Sequence, residues 1–323
     1  MVNITNALSW SLILMGMVAM LYLFFKYAGR LGLIAIPEER SSHRRPVIKA
    51  AGFIIPFGVV IFTLIHGGLN GYILTGLILL SVVSFADDMG GLSATLRLGI
   101  QCIAAALIAY WLYTVDEALW FIALVIPWCI GHLNASNFMD GINGMLILNM
   151  MALFIVYATA GIIQDESIID TLWLIIVLLG VLAVLNVRTT ALCFLGDVGS
   201  ISLGWLSFAT VIYLVTESGQ ISLLFSMAVF YTDSGLTLLH RIWRRENILQ
   251  PHREHLYEIL YNDEGKSPIL ISLSYMGIQL LVNMYLFYLS PLWRLPWWLD
   301  GLLIMTFLMC IYFYTRYRYI KTA

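Results

Sequence analysis

The feature that most constrains this chain is a series of apolar runs, each long enough to cross the ~30 Å hydrocarbon core of a membrane as a helix. Only 11% of the residues are charged, against roughly 25% in soluble chains. The alternating polarity of barrel strands is absent, and a helix satisfies its own backbone amides. We therefore predict an all-α polytopic membrane protein, a single-domain helical bundle over residues 1–323. Its eleven or so transmembrane helices are placed near 7–25, 51–67, 71–86, 98–115, 118–133, 143–162, 170–187, 200–216, 221–239, 268–290 and 296–315.

Threading these spans back and forth separates the charges of the connections. Alternate connections, with the C-terminal tail, hold Lys26, Arg30, Arg40, Arg44, Arg45, Lys49, Arg97, Arg188, Arg241, Arg244, Arg245, Arg253, Lys266, Arg316, Arg318 and Lys321. The opposite connections hold Asp116, Glu117, Asp165, Glu166, Asp170 and Glu217, with Arg294 as the exception. Positive charge favours the cytosol. We predict a multi-pass protein of the bacterial inner (plasma) membrane with a periplasmic N-terminus and a cytosolic C-terminus.

Carboxylates lie at the predicted cytosolic ends of separate spans, at Asp87, Asp88, Asp140 and Asp197. Acids at membrane depth are costly and usually face a cavity or a partner. Each of them, taken alone, could equally be an interfacial helix cap or a solvated loop acid. Neither alternative explains why all of them fall on one face beside glycines. Adjacent Asp87 and Asp88 repel unless a divalent cation or a shared proton lies between them. The sequence therefore predicts one acidic site on the cytosolic face.

Two short segments beside these acids carry further polar groups. In Asn134-Ala-Ser-Asn137-Phe-Met-Asp140-Gly-Ile-Asn143-Gly144, the spacing predicts that Asn137 and Asp140 share a helical face suited to a base or ribose edge. A capped helix boundary is the alternative, and it accounts for Asn143-Gly144 alone. In Gly196-Asp197-Val-Gly199-Ser200, the acid can ligate a metal and the following helix N-terminus favours phosphate. An ordinary aspartate cap is the alternative there.

Basic residues on the same face complete the predicted site. Arg97 precedes Gln101 by one helical turn and has three candidate roles: a topological anchor, a counter-charge to the aspartates, or a phosphate ligand. His252, Arg253 and His255 are predicted on one helical face, which fits diphosphate binding, with a solvated basic face as the alternative. The two histidines are one residue short of the spacing of an HExxH zinc helix, so a zinc protease is rejected.

In this order, the motifs resemble those of the polyprenyl-phosphate N-acetylhexosamine-1-phosphate transferases, the family of MraY and WecA. The form His252-Arg253-x-His255-x-Tyr257 is most similar to the branch that starts O-antigen or related lipopolysaccharide chains. The motifs that carry the resemblance are Arg40-x2-His43-x2-Pro46, Asp87-Asp88-x8-Arg97-Leu98-x2-Gln101, Asn137-x2-Asp140-Gly141-x-Asn143-Gly144, Phe194-x-Gly196-Asp197-x-Gly199-Ser200 and His252-Arg253-x-His255.

The resemblance implies a phosphotransferase for substituted phosphate groups. Such an enzyme moves N-acetylhexosamine-1-phosphate from a UDP-N-acetylhexosamine to undecaprenyl phosphate and releases UMP, with Mg²⁺ or Mn²⁺ as cofactor. The expected partners are those two substrates and membrane lipid, with no nucleic acid, and a homodimer is one expected assembly. The implied roles are Mg²⁺ binding for Asp197 and Asp88, and acceptor activation or metal binding for Asp87 and Asp88. Asn137 and Asp140 would contact the nucleoside, and His252, Arg253 and His255 the diphosphate. Lys49, Arg97 and Asn143 are further substrate-binding residues, and Lys49 is similar to the basic residue that closes the first family loop.

Several positions depart from the family pattern. Ala50-Ala51 stands where Gly-Gly is usual, with Ile48 in place of proline, so this segment is not expected to let the donor approach as closely. Asn143 replaces the second acid of a DGxDG pattern, and Asn186 lies in a degraded element and is left unassigned.

Two other classes of protein use acids within membrane spans. An intramembrane aspartyl protease would need glycine at position 194, which is Phe194, and a Tyr-Asp partner that is missing. A secondary transporter tends to show internal repeats and acids near the midplane; no repeat is visible, and Asp233 alone lies deep. Asp233 is predicted either to orient a helix or to line the site. Release of UMP that depends on a UDP-sugar would separate the transferase from both alternatives.

Overall fold

The computed structural model describes residues 4–37, 45–247 and 253–319, and almost all of the regular structure there is helical. A two-stranded antiparallel ribbon, β1 Ile34–Ala35 with β2 Val47–Ile48, lies in the first connection. The α-helices are α1 Ile4–Tyr27, α2 Ile54–His66, α3 Gly71–Gly90, α4 Ala94–Thr114, α5 Leu119–Phe138, α6 Met145–Thr159, α7 Glu166–Asn186, α8 Gly196–Ser218, α9 Ala228–Trp243, α10 Leu256–Asn262, α11 Pro268–Met284, α12 Ser290–Trp293 and α13 Trp297–Tyr319.

The predicted spans coincide with the observed helices. Within the described residues, nine helical segments are long and apolar enough to cross a membrane, and Ala51–His66 and Met145–Thr159 are shorter apolar segments. The prediction of a polytopic all-helical membrane protein is therefore confirmed. Two boundaries differ where the chain carries acids: α3 continues to Gly90 and α8 begins at Gly196. Their aspartates consequently lie in helical turns rather than in the connections.

Helix α8 is the centre of the bundle. In its most apolar 18-residue stretch, 94% of the residues are buried inside the protein, against 22% in the corresponding stretch of α1. Small residues let its neighbours come close, as is usual between membrane helices. A Cβ on Gly204 would lie 2.8 Å from Ser136 Oγ of α5, and one on Gly76 of α3 would overlap the Trp205 ring of α8. This packing brings the ends of α3, α5 and α8 together.

Alternate connections meet at one end of the bundle. The Phe194 N–H donates to the Ile48 carbonyl at 2.8 Å, which joins the first connection to the one before α8. The Asn143 side chain donates to the Arg188 carbonyl, also at 2.8 Å. These contacts are what back-and-forth threading of the spans requires. They bring the predicted site connections together, whichever membrane face they occupy.

The predicted sidedness can be measured with single cysteines in this threading. Leu92→Cys and Asn262→Cys lie at the end that carries the site, whereas Glu166→Cys begins α7 at the opposite end. The native Cys102 and Cys310 are exposed and are first replaced by serine. We expect an impermeant maleimide to label the first two only from the cytosol and the third only from outside. Labelling of all three from one side would contradict the topology.

Candidate active site

Asp88, in the last turn of α3, caps the start of α8. Its Oδ1 accepts the Asp197 N–H at 3.1 Å and its Oδ2 accepts the Val198 N–H at 3.0 Å. The first amides of a helix have no partner within the helix, and their partial positive charge favours an anion. The sequence predicted a phosphate at this terminus, but on these two amides the structure places a carboxylate of the chain itself. With only 7% of its surface exposed, Asp88 fixes α8 against α3.

Glycine at position 196 allows this close approach. Gly196 has a φ of 73°, and a Cβ there would lie 2.7 Å from the backbone N and Cα of Ala50 and from Asp88 Oδ2. The segment before α2 lies across the same turn, because the amides of Ala51 and Gly52 donate to the carbonyls of residues 194 and 195 at 3.0 Å. The start of α8 therefore admits no side chain at this position.

Lys49 and Ala50 lie on the segment that crosses this turn. The Lys49 amide donates to the Leu33 carbonyl at 3.0 Å, and its ammonium is one of the positive charges that act on Asp88. Ala50 adopts φ 65° and ψ 16°, a left-handed conformation that glycine reaches without strain. The alanine that departs from the family pattern thus keeps a backbone typical of glycine.

Asp87, Asp197 and Arg97 form the open part of the site. Arg97 Nη1 lies 2.9 Å from Asp87 Oδ2 and 3.7 Å from Asp197 Oδ2. Of the three roles predicted for Arg97, these contacts match the counter-charge. The Asp87 side chain is 6% exposed and also accepts the Leu92 N–H, whereas the Asp197 side chain is 32% exposed. Asp197 is therefore the carboxylate of this pair that an incoming ligand can reach.

Asn137 and Asp140 reach the site from the end of α5, but not on one helical face. That prediction was wrong because α5 ends at Phe138, and the Asp140 amide closes a tight turn by donating to the Asn137 carbonyl at 3.1 Å. Asn137 Oδ1 accepts a hydrogen bond from Ser200 Oγ of α8 at 3.2 Å. Burial raises the pKa of the Asp140 carboxyl well above its usual value, and the negative charges of Asp197 and Asp88 add to the shift.

Two asparagines hold the neighbouring loops. Asn143, predicted to bind donor, donates its side-chain amide to the carbonyls of Arg188 and Thr189 at 2.8 and 3.4 Å. Asn186, left unassigned by the sequence, is buried; its Oδ1 accepts the Gly144 N–H at 2.7 Å and its Nδ2 donates to a carbonyl of residue 193 at 2.9 Å. The sequence feature that could have identified Asn186 is its position, since it is a polar amide side chain at the end of a strongly apolar run. Both contacts fix the connections on either side of α6 and α7.

The basic segment before α10 is not helical where the sequence predicted a helical face. His252 lies outside the described residues, and Arg253, which is half-buried, precedes the helix. His255 is extended, with φ −63° and ψ 143°, and forms a capping box with Glu258 at the start of α10. A capping residue cannot share a helical face with the residues before it. The buried His255 ring stacks on the Tyr257 ring with a centroid separation of 5.8 Å.

The carboxylates suit a divalent cation that the substrates also coordinate. Among the described residues, no group of three or more histidine, cysteine, aspartate or glutamate side chains converges to hold a metal by itself. Mg²⁺ usually takes one or two carboxylates together with water and substrate phosphates. Asp87 and Asp197 each have an oxygen within 4 Å of Arg97 Nη1, at 2.9 and 3.7 Å, and two neighbouring carboxylates can share a proton or a cation. This oxygen donor set fits Mg²⁺.

Comparison with known proteins finds sequence similarity over about half of the chain. Residues 70–215 match the model of the family described as glycosyl transferase family 4. The phospho-N-acetylmuramoyl-pentapeptide-transferase of Streptococcus pyogenes serotype M6 is 28% identical over 45% of this chain and 49% of its own length. That of Streptococcus uberis is 29% identical over 50% of this chain and 55% of its own length. The chain spans about half the length of the curated relatives it matches.

The family match covers the helices that carry the acidic site, since it begins just before α3 and ends within α8. The matches support the resemblance to the polyprenyl-phosphate hexosamine-1-phosphate transferases that the sequence motifs indicate.

Proposed function

We propose that this protein transfers an N-acetylhexosamine-1-phosphate from a UDP-sugar to undecaprenyl phosphate at the cytosolic face of the bacterial inner membrane. The products would be undecaprenyl-diphosphate-sugar and UMP. The sequence motif His252-Arg253-x-His255-x-Tyr257 supports a role in initiating O-antigen or a related cell-envelope polysaccharide. The homodimer stays a prediction.

The observation that carries this proposal is the convergence of acids and one arginine at the start of α8. Asp87 and Asp88 come from α3, Asp197 from α8, and Arg97 from α4, and their side chains or backbones are in direct contact. A transferase that joins two anionic phosphates needs a fixed positive charge and a cation-binding site next to each other in the active site. Arg97 supplies the first and the carboxylates supply the second.

Mg²⁺ would be held by Asp197, the exposed carboxylate, with Asp87 and Asp88 around it. When bound, it would screen the donor diphosphate and stabilise charge on the departing UMP. The chain's own contribution is orientation: Asp88 fixes the Asp197 backbone through its amide, and Arg97 holds the Asp87 side chain. Arg97 is 40% exposed, so its guanidinium also remains open to a phosphate.

The contacts favour direct attack by the lipid phosphate over a covalent aspartyl intermediate. A nucleophilic aspartate needs an oxygen directed at the donor. Both oxygens of Asp88 accept amides of α8, and both oxygens of Asp87 accept hydrogen bonds from Leu92 and Arg97. A phosphate acceptor is already ionised near neutral pH, so it needs little help from a base.

The test is UMP release from the purified protein in detergent with undecaprenyl phosphate. UDP-N-acetylglucosamine and UDP-N-acetylgalactosamine serve as donors, and the lipid product is read by mass spectrometry. We expect turnover only with both substrates, loss of turnover in excess EDTA, and recovery on adding Mg²⁺ or Mn²⁺, because the acidic donor set needs a cation. Full activity in EDTA would contradict the metal assignment. Absence of any sugar-dependent UMP release would contradict the transferase.

A further inference from the structure

Asp233 is a buried carboxylate that the proposed chemistry does not use. It lies in α9 with 2% of its surface exposed. Its Oδ1 accepts the Leu256 N–H at 2.9 Å, and its Oδ2 accepts the Tyr275 hydroxyl at 2.6 Å and the Tyr257 N–H at 3.4 Å. His255 Nδ1 lies 3.6 Å from Oδ1. A carboxylate on the first amides of a helix fixes where that helix begins, so Asp233 sets the position of α10.

Tyr257, in the first turn of α10, extends this contact to the acidic site. Its hydroxyl donates to the Phe138 carbonyl at 2.6 Å and accepts the Gly141 N–H, so it brackets the turn that follows α5. A Cβ on Gly141 would lie 2.2 Å from that hydroxyl oxygen, which leaves no room for a side chain. Burial raises the pKa of the Tyr257 hydroxyl well above its usual value, and nearby carboxylates add to the shift. The hydroxyl therefore keeps the proton that it donates.

The bracketed turn contains Asp140. Its own backbone contributes two hydrogen bonds near the end of α5, from the Met139 amide to the Ala135 carbonyl and from the Asp140 amide to the Asn137 carbonyl, both at 3.1 Å. Beyond Asp140 the chain runs through Gly141, which has no side chain to pack. The Tyr257 hydroxyl therefore ties the turn itself to another helix, a few residues before Asn143, whose carbonyl accepts a hydrogen bond from Ser272 Oγ of α11 at 3.0 Å.

We propose that Asp233 and Tyr257 are positioning residues that hold the 138–141 turn, and with it Asp140, against the acidic site. Asp233 fixes the backbone of α10, and the Tyr257 hydroxyl, which α10 carries, holds the turn in place through its hydrogen bonds. The effect on catalysis rests on the proposed transferase function. The mechanical link itself does not, so the two can fail separately.

The test compares two tyrosines that undergo the same chemical change. Tyr257→Phe keeps the buried ring and removes the hydroxyl. Tyr157→Phe does the same at a fully buried tyrosine of α6 whose hydroxyl lies 2.6 Å from Ser226 Oγ, away from the site. A general loss of packing or of one buried hydrogen bond affects both variants. A positioning role affects the first alone.

Hydrogen–deuterium exchange of the full-length protein in detergent reads the link without any substrate. We expect peptides covering 139–144 to exchange about three- to tenfold faster in Tyr257→Phe, the change that one intramolecular hydrogen bond gives. Asp233→Asn, which cannot accept all the same donors, should loosen the same peptides. The double variant should exchange no faster than the faster of the two single variants, because both residues act through one connection. Equal exchange in Tyr257→Phe and Tyr157→Phe would overturn the proposal, even if Asp233→Asn does not fold.

Steady-state kinetics with the two UDP-sugars gives the second readout. Tyr257→Phe should raise KM for the donor by about three- to tenfold, the factor expected for exchange, and should leave kcat nearly unchanged. Tyr157→Phe should leave both constants unchanged. Unchanged constants in a Tyr257→Phe protein whose turn has loosened would refute the catalytic half of the proposal. A wild-type protein without turnover would refute the transferase and leave the exchange result standing.

Discussion

Asp197→Asn is expected to lower kcat for sugar-phosphate transfer by about 10²- to 10³-fold, the loss usual when one preorganised electrostatic group is removed from a site. Asp197 is more exposed than Asp87, and it lies beside Arg97 and Asp87 at the start of α8. The amide keeps the size of the side chain but removes the charge that holds a cation. The loss should therefore appear in kcat rather than in folding.

Asp140→Asn is the matched control, since it makes the same change in a neighbouring acid. Burial raises the pKa of the Asp140 carboxyl, so the amide removes less charge than it would at an acid with an ordinary pKa. We expect weaker donor binding, by about 1–3 kcal/mol for a lost acceptor, with kcat largely kept. Steady-state kcat and KM for both variants decide the roles. If Asp197→Asn changes only KM while Asp140→Asn abolishes kcat, the assignment is reversed.

The sequence predicted the bundle well because the signals for membrane helices are local. Run length and the segregation of charge are visible without any tertiary contact. Helix ends were less predictable near the site. The acids at Asp87, Asp88 and Asp197 look like connection residues by polarity, yet they lie within helical turns. The hydrogen bonds between α3 and α8 that stabilise them join residues more than a hundred positions apart.

The contacts that define the site were the least visible in the sequence. A spacing of three residues suggested a helical face for Asn137 with Asp140 and for His252 with His255. Spacing alone does not say where a helix begins or ends. The first pair is divided by the end of α5, and His255 caps α10. The Tyr257 hydroxyl reaches the turn after α5 from a helix more than a hundred residues later, and no local pattern encodes that contact.

Gly196→Ala is expected to destabilise the protein strongly. The left-handed backbone costs alanine about 1–2 kcal/mol, and forcing a methyl group into a filled space costs about 1–3 kcal/mol more. The new Cβ would meet backbone atoms of Ala50 and the Asp88 carboxylate at 2.7 Å. Asp88 cannot move without breaking the cap on α8, and the backbone next to Ala50 is held by the hydrogen bonds of the Ala51 and Gly52 amides. We expect a loss of about 2–5 kcal/mol in the free energy of unfolding, together with loss of turnover.

Gly180→Ala is the matched control for this substitution, because Gly180 lies within α7 and its added Cβ would meet nothing within 4 Å. In a helix interior alanine is favoured over glycine by about 0.5–1 kcal/mol, so this variant should melt at or above the wild-type temperature. Thermal unfolding in detergent and UMP release measure both. Adding Ala50→Gly to Gly196→Ala should not restore either property, because the atoms in the way belong to the backbone of residue 50. A Gly196→Ala protein that melts and turns over like Gly180→Ala would show that the start of α8 is not closed as described.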